Sequence, residues 1–225
     1  MRHRAAAAEE LMDQPDCDPV RLENTYRQFG VVNRLLSGWR RLYTREIRPL
    51  AAASGTGTLL DVGSGAGDLA VTLRLWGWRD GLDLRITGID PDPRATSFAL
   101  RRPPVPGVEF RQAHSSDLVA EGRRYDVVIS NHVLHHLSAG GLSQLLHDSE
   151  TLATRACLHN DLRRSPAAYA LFSVAALPFR QSFIRADGLT SIRRSYTPAE
   201  LSAAAPPGWA VARTAAFHHA LVRHG

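Results

Sequence analysis

Short apolar runs alternate with amphipathic stretches along most of the chain. Five stretches of strand length predict strands at residues 58–62, 84–89, 108–113, 125–131 and 155–162, and the apolar run at 58–62 predicts a buried one. Helical spacing of apolar residues follows the first run at residues 69–76 and precedes the last at residues 140–154. Strands that alternate with helices in this way are typical of an α/β sheet protein.

Helical spacing also marks the chain before the first strand. Apolar residues recur at helical intervals over residues 21–50, and Gly38 divides them into two predicted helices. Residues 1–20 carry no such pattern and are predicted to be a flexible N-terminus. We therefore expect a helical cap at residues 21–54 and the main domain at residues 55–225.

A glycine-rich turn directly follows the first predicted strand. Gly63, Gly65 and Gly67 stand on alternate positions after this strand, and a helical pattern begins just beyond them. Glycine has no Cβ and tolerates positive φ, so a ligand can approach such a turn closely. In an open α/β sheet, this crevice at the carboxyl ends of the strands binds nucleotide-like cofactors.

Acidic residues around the glycines indicate which cofactor is bound. A dinucleotide fingerprint needs G-x-G-x-x-G, but this chain has G-x-G-x-G, with Asp68 where the last glycine of that fingerprint would stand. Asp61 lies in the first strand, and Asp90 closes the second strand 29 positions later. A nicotinamide-dependent oxidoreductase is therefore a disfavoured alternative.

These acids and glycines resemble the first two motifs of the class I S-adenosylmethionine-dependent methyltransferases. The resemblance implies a Rossmann-like α/β fold: a seven-stranded, mostly parallel sheet with a C-terminal antiparallel hairpin, here at residues 209–214 and 217–223. It also implies an N-terminal helical cap and a lid after the fifth strand, at about residues 164–195. The implied reaction is methyl transfer from S-adenosyl-L-methionine, with S-adenosyl-L-homocysteine as the product.

The same resemblance assigns residues to the cofactor. The acidic glycine loop would cradle the methionine part of the cofactor, and Asp90 would accept both ribose hydroxyls, because a carboxylate offers only acceptor sites. Cofactor-binding residues expected on this basis are Asp61, Gly63, Ser64, Gly65, Asp90, Pro91, Ser115, Asn131 and Tyr26. Ser115 is assigned to the adenine because His114 occupies the position where the family usually has an acid.

The predicted cap resembles a narrower branch of this family. Tyr26, Asn33, Ser37-Gly38 and Trp39-Arg follow one another as in the ubiquinone and menaquinone biosynthesis methyltransferases. In that branch the cap closes over the cofactor and a quinol head group. Tyr26 and Trp39 are equally typical of core aromatic residues in a pair of helices.

Three histidines follow the fourth predicted strand, in a segment that resembles the family's "V-L-H-H-L". A histidine with a pKa near neutrality at the end of the central strand suits a general base. We expect His135 to be the catalytic base, with His132 as the second candidate, although this segment is also compatible with a packing role. His132 and either His135 or His136 have metal-ligand spacing, but no carboxylate or cysteine ligand accompanies them in the sequence, so no metal is expected.

Composition excludes several other classes of function. The chain has 225 residues and a formal charge of +5. All basic side chains except histidine are arginines, and they are scattered rather than massed, so nucleic acid is not an expected partner. The basic charge still leaves a non-catalytic cofactor- or RNA-binding protein as an alternative.

Two cysteines do not make a disulfide framework. The apolar run at residues 167–179 is too short to cross a membrane. A cytoplasmic protein is therefore expected, either a monomer or a homodimer.

The acceptor is expected to be a small molecule. Nucleic-acid base methylases of this fold carry an Asn/Asp-Pro-Pro-aromatic motif after the fourth strand, and this chain has Ser130-Asn131-His132-Val133 there. An aromatic and aliphatic lid suits a flat or greasy ligand. The resemblance points to quinols or polyketide-type phenols of secondary metabolism, with O- or C-methylation open.

Overall fold

The computed structural model describes the backbone of residues 1–225 and all side chains except those at 31, 32 and 34–36. Within this chain, seven strands form one sheet in the order β3-β2-β1-β4-β5-β7-β6. The strands are β1 (Thr56–Val62), β2 (Asp83–Asp90), β3 (Val108–Gln112), β4 (Tyr125–Asn131), β5 (Ala153–Leu162), β6 (Ala210–Ala215) and β7 (His218–His224). β1 to β5 are parallel, and β7 runs antiparallel to both β5 and β6. This is the predicted Rossmann-like fold with its C-terminal hairpin.

Helices cover both faces of the sheet. They are α1 (Pro19–Leu36), α2 (Trp39–Leu42), α3 (Arg48–Ala52), α4 (Asp68–Arg79), α5 (Pro93–Leu100), α6 (Ser115–Ala120), α7 (Ala139–Leu152), α8 (Pro166–Ala175), α9 (Ile184–Arg194) and α10 (Pro198–Ala204). A π-helical turn, Tyr43–Ile47, joins α2 to α3, and short 3₁₀ turns lie at Leu11–Asp13 and Leu134–His136. No helix in the described chain is both long and apolar enough to span a bilayer.

Alternating side chains of the strands build an apolar core on each face of the sheet. On one face Leu59 and Ile129 pack with Tyr43 and Leu73 from the helices. On the other face Leu60 and Val128 pack against α7 and its neighbours. Because both faces of the central strands are covered, β1 and β4 appear in the sequence as nearly continuous apolar runs, whereas the edge strand β3 alternates apolar and charged residues.

Strand register brings the ends of the central strands to one edge of the sheet. β1 pairs with both β2 and β4, so Val62 lies beside Ile89 on one side and Ser130 on the other. The chain continues from β1 to β2 on one side and crosses from β3 to β4 on the other, so the end of β1 is the topological switch point where open α/β sheets bind ligands. The loops after β1, β2 and β4 therefore border one crevice.

Local sequence explains most helix boundaries. Gly38, with φ of 76°, separates α1 from α2 as predicted. Thr197 caps α10, with Pro198 at the first helical position and Glu200 completing a capping box, also as predicted. β5 begins at Ala153, directly after α7 and two residues before its predicted start, because no glycine or proline marks that boundary.

Residues before α1 lie against α9. The backbone N–H groups of Leu11 and Met12 donate to the Asp187 carboxylate at 2.8 and 3.0 Å. The Arg4 guanidinium donates to the His135 carbonyl oxygen at 2.9 Å. The segment predicted as a flexible terminus thus lies in the structure alongside the carboxyl edge of the sheet, where it contributes Glu10 to the cavity described next.

Candidate active site

A cavity of about 860 Å³ lies at the carboxyl edge of the sheet. This volume is near the upper end of the roughly 300–1,000 Å³ that small-molecule sites occupy. The loop after β1, the ends of β2 and β4, helices α1, α8 and α9, and the N-terminal segment form its walls. One end of the cavity is polar and contains the glycine loop, and the other is apolar.

The loop after β1 is held close to β2 by its own backbone. The N–H groups of Gly63 and Ser64 both donate to the Ile89 carbonyl oxygen, at 2.8 and 2.9 Å. Gly63 has φ of 69°, and a Cβ there would lie 2.6 Å from Val133 Cγ2. Gly65 has φ of 53°, and a Cβ there would project into open space. The loop thus needs glycine at both positions, one for packing and one to leave room for a ligand.

Asp90 fixes the loop from the end of β2. Its Oδ2 atom accepts a hydrogen bond from the Gly65 N–H at 2.9 Å, and Oδ1 accepts one from the Asp92 N–H at 2.9 Å. Burial raises the pKa of Asp90, and these two backbone hydrogen bonds oppose that effect. Each carboxylate oxygen keeps a further lone pair for a donor in the cavity. Pro91 lines the cavity beside it.

Asp61 is a buried carboxylate without a partner. Its side chain lines the cavity and is 1% exposed, and neither oxygen has a hydrogen-bond partner among the described side chains and backbone. Burial, and then the charges of Asp68 and Asp90, raise its pKa well above the ordinary value. A cationic ligand group would relieve this arrangement, because an opposite charge favours the ionised carboxylate.

An amide network joins the cap to the sheet edge. The Asn33 amide donates to the Asp68 carboxylate at 3.0 Å, and the Asn131 amide donates to Asn33 Oδ1 at 3.3 Å. Trp39 Nε1 and the Asn160 amide both donate to Asn131 Oδ1, at 2.8 and 3.0 Å. Asn131 is therefore brought to the predicted site and is held there from three sides.

Tyr26 reaches the cavity from α1. Its ring is 5% exposed and lies 5.2 Å from the Phe98 ring, centroid to centroid. Burial raises the pKa of its hydroxyl, so the side chain is neutral. Tyr26 therefore both packs against Phe98 and lines the cavity.

Ser115 is not brought to the cavity. It begins α6, and its hydroxyl donates to Asp148 Oδ2 on α7 at 2.6 Å. The preceding His114 is exposed. The geometry thus gives no support to the prediction that Ser115 contacts the adenine, because its hydroxyl is occupied in the contact between two helices.

His132 lies at the end of β4 in a strained conformation. Its φ is 59°, which a residue with a Cβ rarely adopts. Its Nε2 atom lies 3.1 Å from Nε2 of His218 on β7, and the two rings stack. Burial lowers the pKa of His132 to about 4 and that of His218 to about 3, so both imidazoles are neutral near pH 7.

His135 is deeply buried between two carboxylates. Its Nδ1 atom lies 2.6 Å from Asp161 Oδ1, and its Nε2 atom lies 3.4 Å from Glu10 Oε1. Burial alone would lower the pKa of His135, but the charges of Asp161 and Glu10 outweigh it and raise the pKa to about 9. The neighbouring imidazoles lower the pKa of Glu10 to about 2 despite its burial. His135 is thus a charged imidazolium at neutral pH in this arrangement.

The opposite end of the cavity is apolar. Side chains from α8 and α9 line it, and they are Ala168, Leu171, Phe172, Ala175, Ile184 and Ile192. These helices fall in the segment predicted as a lid, and Phe172 packs over Gly188, where a Cβ would lie 2.3 Å from its ring. This wall suits an apolar or aromatic ligand.

Three residues that line the cavity are not predicted as site residues from the sequence. Glu10 stands in an N-terminal stretch without periodicity, and nothing local marks it as buried. His218 begins the last strand and meets His132 only through the antiparallel hairpin. Asp68 was noted as a departure from the dinucleotide fingerprint, and it lines the cavity beside Asp61.

Sequence comparison identifies the family. The sequence model described as a methyltransferase domain matches residues 35–154, just over half of the chain. The chain belongs to this methyltransferase domain family. A search of curated proteins gave no match.

Solved structures share the fold. Human N-acetylserotonin methyltransferase, in complex with S-adenosylmethionine, is 19% identical over 90% of this chain with a TM-score of 0.54. This chain spans only 56% of the human enzyme's length. The plantazolicin methyltransferase BpumL, in complex with S-adenosylhomocysteine, is 13% identical over 92% of this chain and 96% of its own, with a TM-score of 0.57. A third complex, of DhpI with S-adenosylmethionine, is 18% identical over 91% of this chain and 98% of its own, with a TM-score of 0.51.

Family and fold together show a methyltransferase domain. S-adenosylmethionine as its methyl donor, the cofactor that the sequence resemblance implies, is part of the function proposed below. The matched family is broader than the quinone branch that the cap resembles.

The polar end of the cavity fits this cofactor. Asp61 offers two buried, unpaired oxygens to a cation, and S-adenosylmethionine carries both an ammonium and a sulfonium. Asp90 offers acceptor sites for a pair of hydroxyls, and Gly65 leaves open space beside them.

Proposed function

We propose that the protein methylates a small phenolic acceptor, of the quinol or polyketide-type class, on an oxygen or a ring carbon. The observation that carries this proposal is the continuity of the cavity: its acidic, glycine-lined end opens directly onto the apolar wall of α8 and α9. His132 lies in the wall of the same cavity.

The cofactor would bind at the polar end. Asp61 would balance its ammonium group, and Asp90 would accept hydrogen bonds from the ribose hydroxyls. The loop residues Gly63, Ser64 and Gly65 would lie along it. Support comes from the unpaired oxygens of Asp61 and the free lone pairs of Asp90.

Other predicted cofactor contacts belong to the surrounding wall. Tyr26, Pro91 and Asn131 all line the cavity, and we keep them as cofactor-binding residues. Ser115 is left out because its hydroxyl is bonded to Asp148. No described residue of the β3–α6 connection lines the cavity in its place.

When bound, S-adenosylmethionine supplies a methyl group on its sulfonium sulfur, and S-adenosylhomocysteine is the leaving group when the acceptor attacks the methyl carbon in line with that sulfur. The chain's part is to orient the acceptor, exclude water and take up its proton. Alignment of this kind supplies most of the acceleration in such reactions, and a general base adds about 10²–10⁴-fold.

His132 is a better base than His135. Both ring nitrogens of His135 face carboxylates, so neither has a lone pair directed at an acceptor. His132 is a neutral imidazole that lines the cavity, and because its Nε2 atom contacts His218 Nε2, Nδ1 is the nitrogen left to take a proton. Burial lowers its pKa to about 4, so it is a weak base. We therefore assign the base to His132 rather than to the first-ranked His135.

A methyl-transfer assay with matched variants tests the proposal. Formation of S-adenosylhomocysteine is measured with a panel of phenols, hydroquinones, thiols and amines, for wild type, His132→Asn and His147→Asn. His147 is exposed on α7 and serves as the control. We expect turnover with phenols or hydroquinones, a loss of about 10²-fold or more in kcat for His132→Asn, and no change for His147→Asn.

Two results would contradict the proposal. Turnover confined to thiols or amines would reject the phenolic acceptor. A His132→Asn variant with wild-type kcat on a phenol would reject His132 as the base.

A further inference from the structure

Two adjacent histidines and a glutamate from the distant N-terminal segment meet on one wall of the cavity. Glu10 Oε1 lies 3.4 Å from His135 Nε2 and 3.6 Å from His136 Nε2. One ligand atom from each of the three residues lies within 4.8 Å of the other two. The carboxylate that the histidine segment lacks in sequence is thus supplied by Glu10, 125 residues before His135.

The spacing of these atoms suits a metal ion. Zinc binds imidazole nitrogen and carboxylate oxygen at about 2.0–2.2 Å in a tetrahedron, whose ligand atoms are then about 3.3–3.5 Å apart. The two distances from Glu10 Oε1 are close to that edge length. A set of two imidazoles and one carboxylate is typical of zinc and related transition metals rather than of calcium or magnesium.

Both imidazoles are already oriented by a second carboxylate. His135 Nδ1 lies 2.6 Å from Asp161 Oδ1, and His136 Nδ1 lies 3.1 Å from Asp13 Oδ2. Each ring therefore keeps its Nε2 atom for the side that faces Glu10. Hydrogen bonding of the outer ring nitrogen to a carboxylate is the usual support of a metal-binding histidine.

One nitrogen of this cluster is an unpartnered buried atom. His135 is 1% exposed, and its Nε2 atom has no hydrogen-bond partner among the described residues. Glu10, which it faces, is 3% exposed. At 3.4 Å from Glu10 Oε1 this nitrogen is within ion-pair range but makes no hydrogen bond, and an ion held between the two atoms would satisfy both.

The local charge leaves room for a divalent cation. Glu10, Asp13 and Asp161 bring three carboxylates to the two rings. Arg194 Nη1 lies 3.8 Å from Glu10 and 3.9 Å from Asp13. A divalent ion at His135 Nε2 would replace the proton of this imidazolium, among three carboxylates and the guanidinium groups of Arg194 and Arg4.

We propose that Glu10, His135 and His136 bind a divalent transition-metal ion, with zinc as the best match. All three side chains line the cavity, so a coordination position that they leave free is open to it. An oxygen atom of the methyl acceptor suits this coordination position. This refinement rests on the proposed function. The N-terminal segment then has a role, since it carries Glu10 and Asp13 to the site.

The test measures binding of the metal alone. Full-length protein without a histidine tag is stripped with a chelator and titrated with Co²⁺, and the visible absorption is recorded; Zn²⁺ binding is measured by calorimetry. The variants are Glu10→Gln and His136→Asn. Their matched controls are Glu9→Gln and His147→Asn, at exposed positions.

We expect one ion per chain and intense absorption bands typical of four- or five-coordinate Co²⁺. Glu10→Gln and His136→Asn should each weaken binding at least tenfold, and both controls should bind as wild type does. No binding by the wild-type protein, or equal binding by all the variants, would overturn the proposal.

Binding of S-adenosylhomocysteine to the same samples separates this proposal from the proposed function. A protein that binds S-adenosylhomocysteine but no metal would reject the metal site alone. Because the wild-type titration is decisive by itself, poor folding of a variant does not remove the test.

Discussion

At the scale of single residues, the buried ionisable groups are the most informative. Asp61 is a carboxylate with no partner for either oxygen among the described residues, and burial raises its pKa. Such a group costs stability in the free protein and is useful only when a cation arrives. His159 is also buried, but it is not among the residues that line the cavity.

His159 lies inside the sheet on β5. It is 0% exposed, its Nδ1 atom lies 2.8 Å from the Ser130 hydroxyl, and its ring stacks on Trp209. Burial lowers its pKa from an ordinary value near 6.5 to about 3. The folded protein therefore holds this ring neutral at a pH where the unfolded chain protonates it.

This shift predicts a loss of stability in acid. Above pH 6.5 the ring is neutral in both states, and the contribution of His159 to stability is fully present. As the pH falls from 6.5 towards 3, only the unfolded chain takes up the proton, so the free energy of unfolding falls by about 1.4 kcal/mol per pH unit from this group.

Urea unfolding of wild type and His159→Asn across this pH range checks the prediction. Asparagine keeps a donor for Ser130 but does not titrate, so the variant should have the shallower pH dependence. Carboxylate titrations are common to both proteins and cancel in the difference. Equal pH dependence of the free energy of unfolding in the two proteins would show that His159 does not cause the loss of stability in acid.

At the scale of elements, the turn between β1 and α4 has the strictest requirements. Gly63 has positive φ, and a Cβ there would lie 2.6 Å from Val133 Cγ2. Gly122, in the turn before β4, has a similar φ of 67°, but a Cβ there meets nothing within 4 Å. The two glycines share backbone strain and differ only in packing.

Gly63→Ala and Gly122→Ala form a matched pair. Gly122→Ala should lose about 1–2 kcal/mol of stability, because a Cβ disfavours positive φ. Gly63→Ala should lose more, because its Cβ also meets Val133. Only Gly63→Ala should also weaken S-adenosylhomocysteine binding, by at least tenfold, since the loop must move away from Val133. Calorimetry and urea unfolding measure the two effects. Equal affinity in both variants would mean that the loop does not contact the cofactor.

The elements themselves were largely predictable. The central strands β1 and β4 are apolar on both faces, so their runs stand out without periodicity. Thr197, Pro198 and Glu200 mark a helix start by local chemistry alone. Predictions were weaker where tertiary contacts decide. Ser115 is a good candidate by position, but the packing of α6 on α7 turns its hydroxyl to Asp148.

At the scale of the whole molecule, the site is assembled from both ends of the chain. Glu10 comes from the N-terminal segment and His218 from the last strand, and both meet the histidines after β4. Neither has a local sequence signal, because its environment exists only in the folded sheet. The sequence therefore marks the glycine loop and Asp90, which stand in consecutive local motifs, and does not mark Glu10 and His218.

Binding of S-adenosylhomocysteine tests the central claim most directly. Affinity is measured by calorimetry for wild type, Asp90→Asn, Asp90→Ala and the exposed control Asp16→Ala. We predict micromolar binding by wild type and Asp16→Ala, and a loss of at least about 1.4 kcal/mol, tenfold in Kd, for Asp90→Ala. Asp90→Asn should fall between them, because it keeps one acceptor oxygen. Equal affinity of wild type and Asp90→Ala, or no binding by wild type, would contradict the placement of the cofactor at the end of β2.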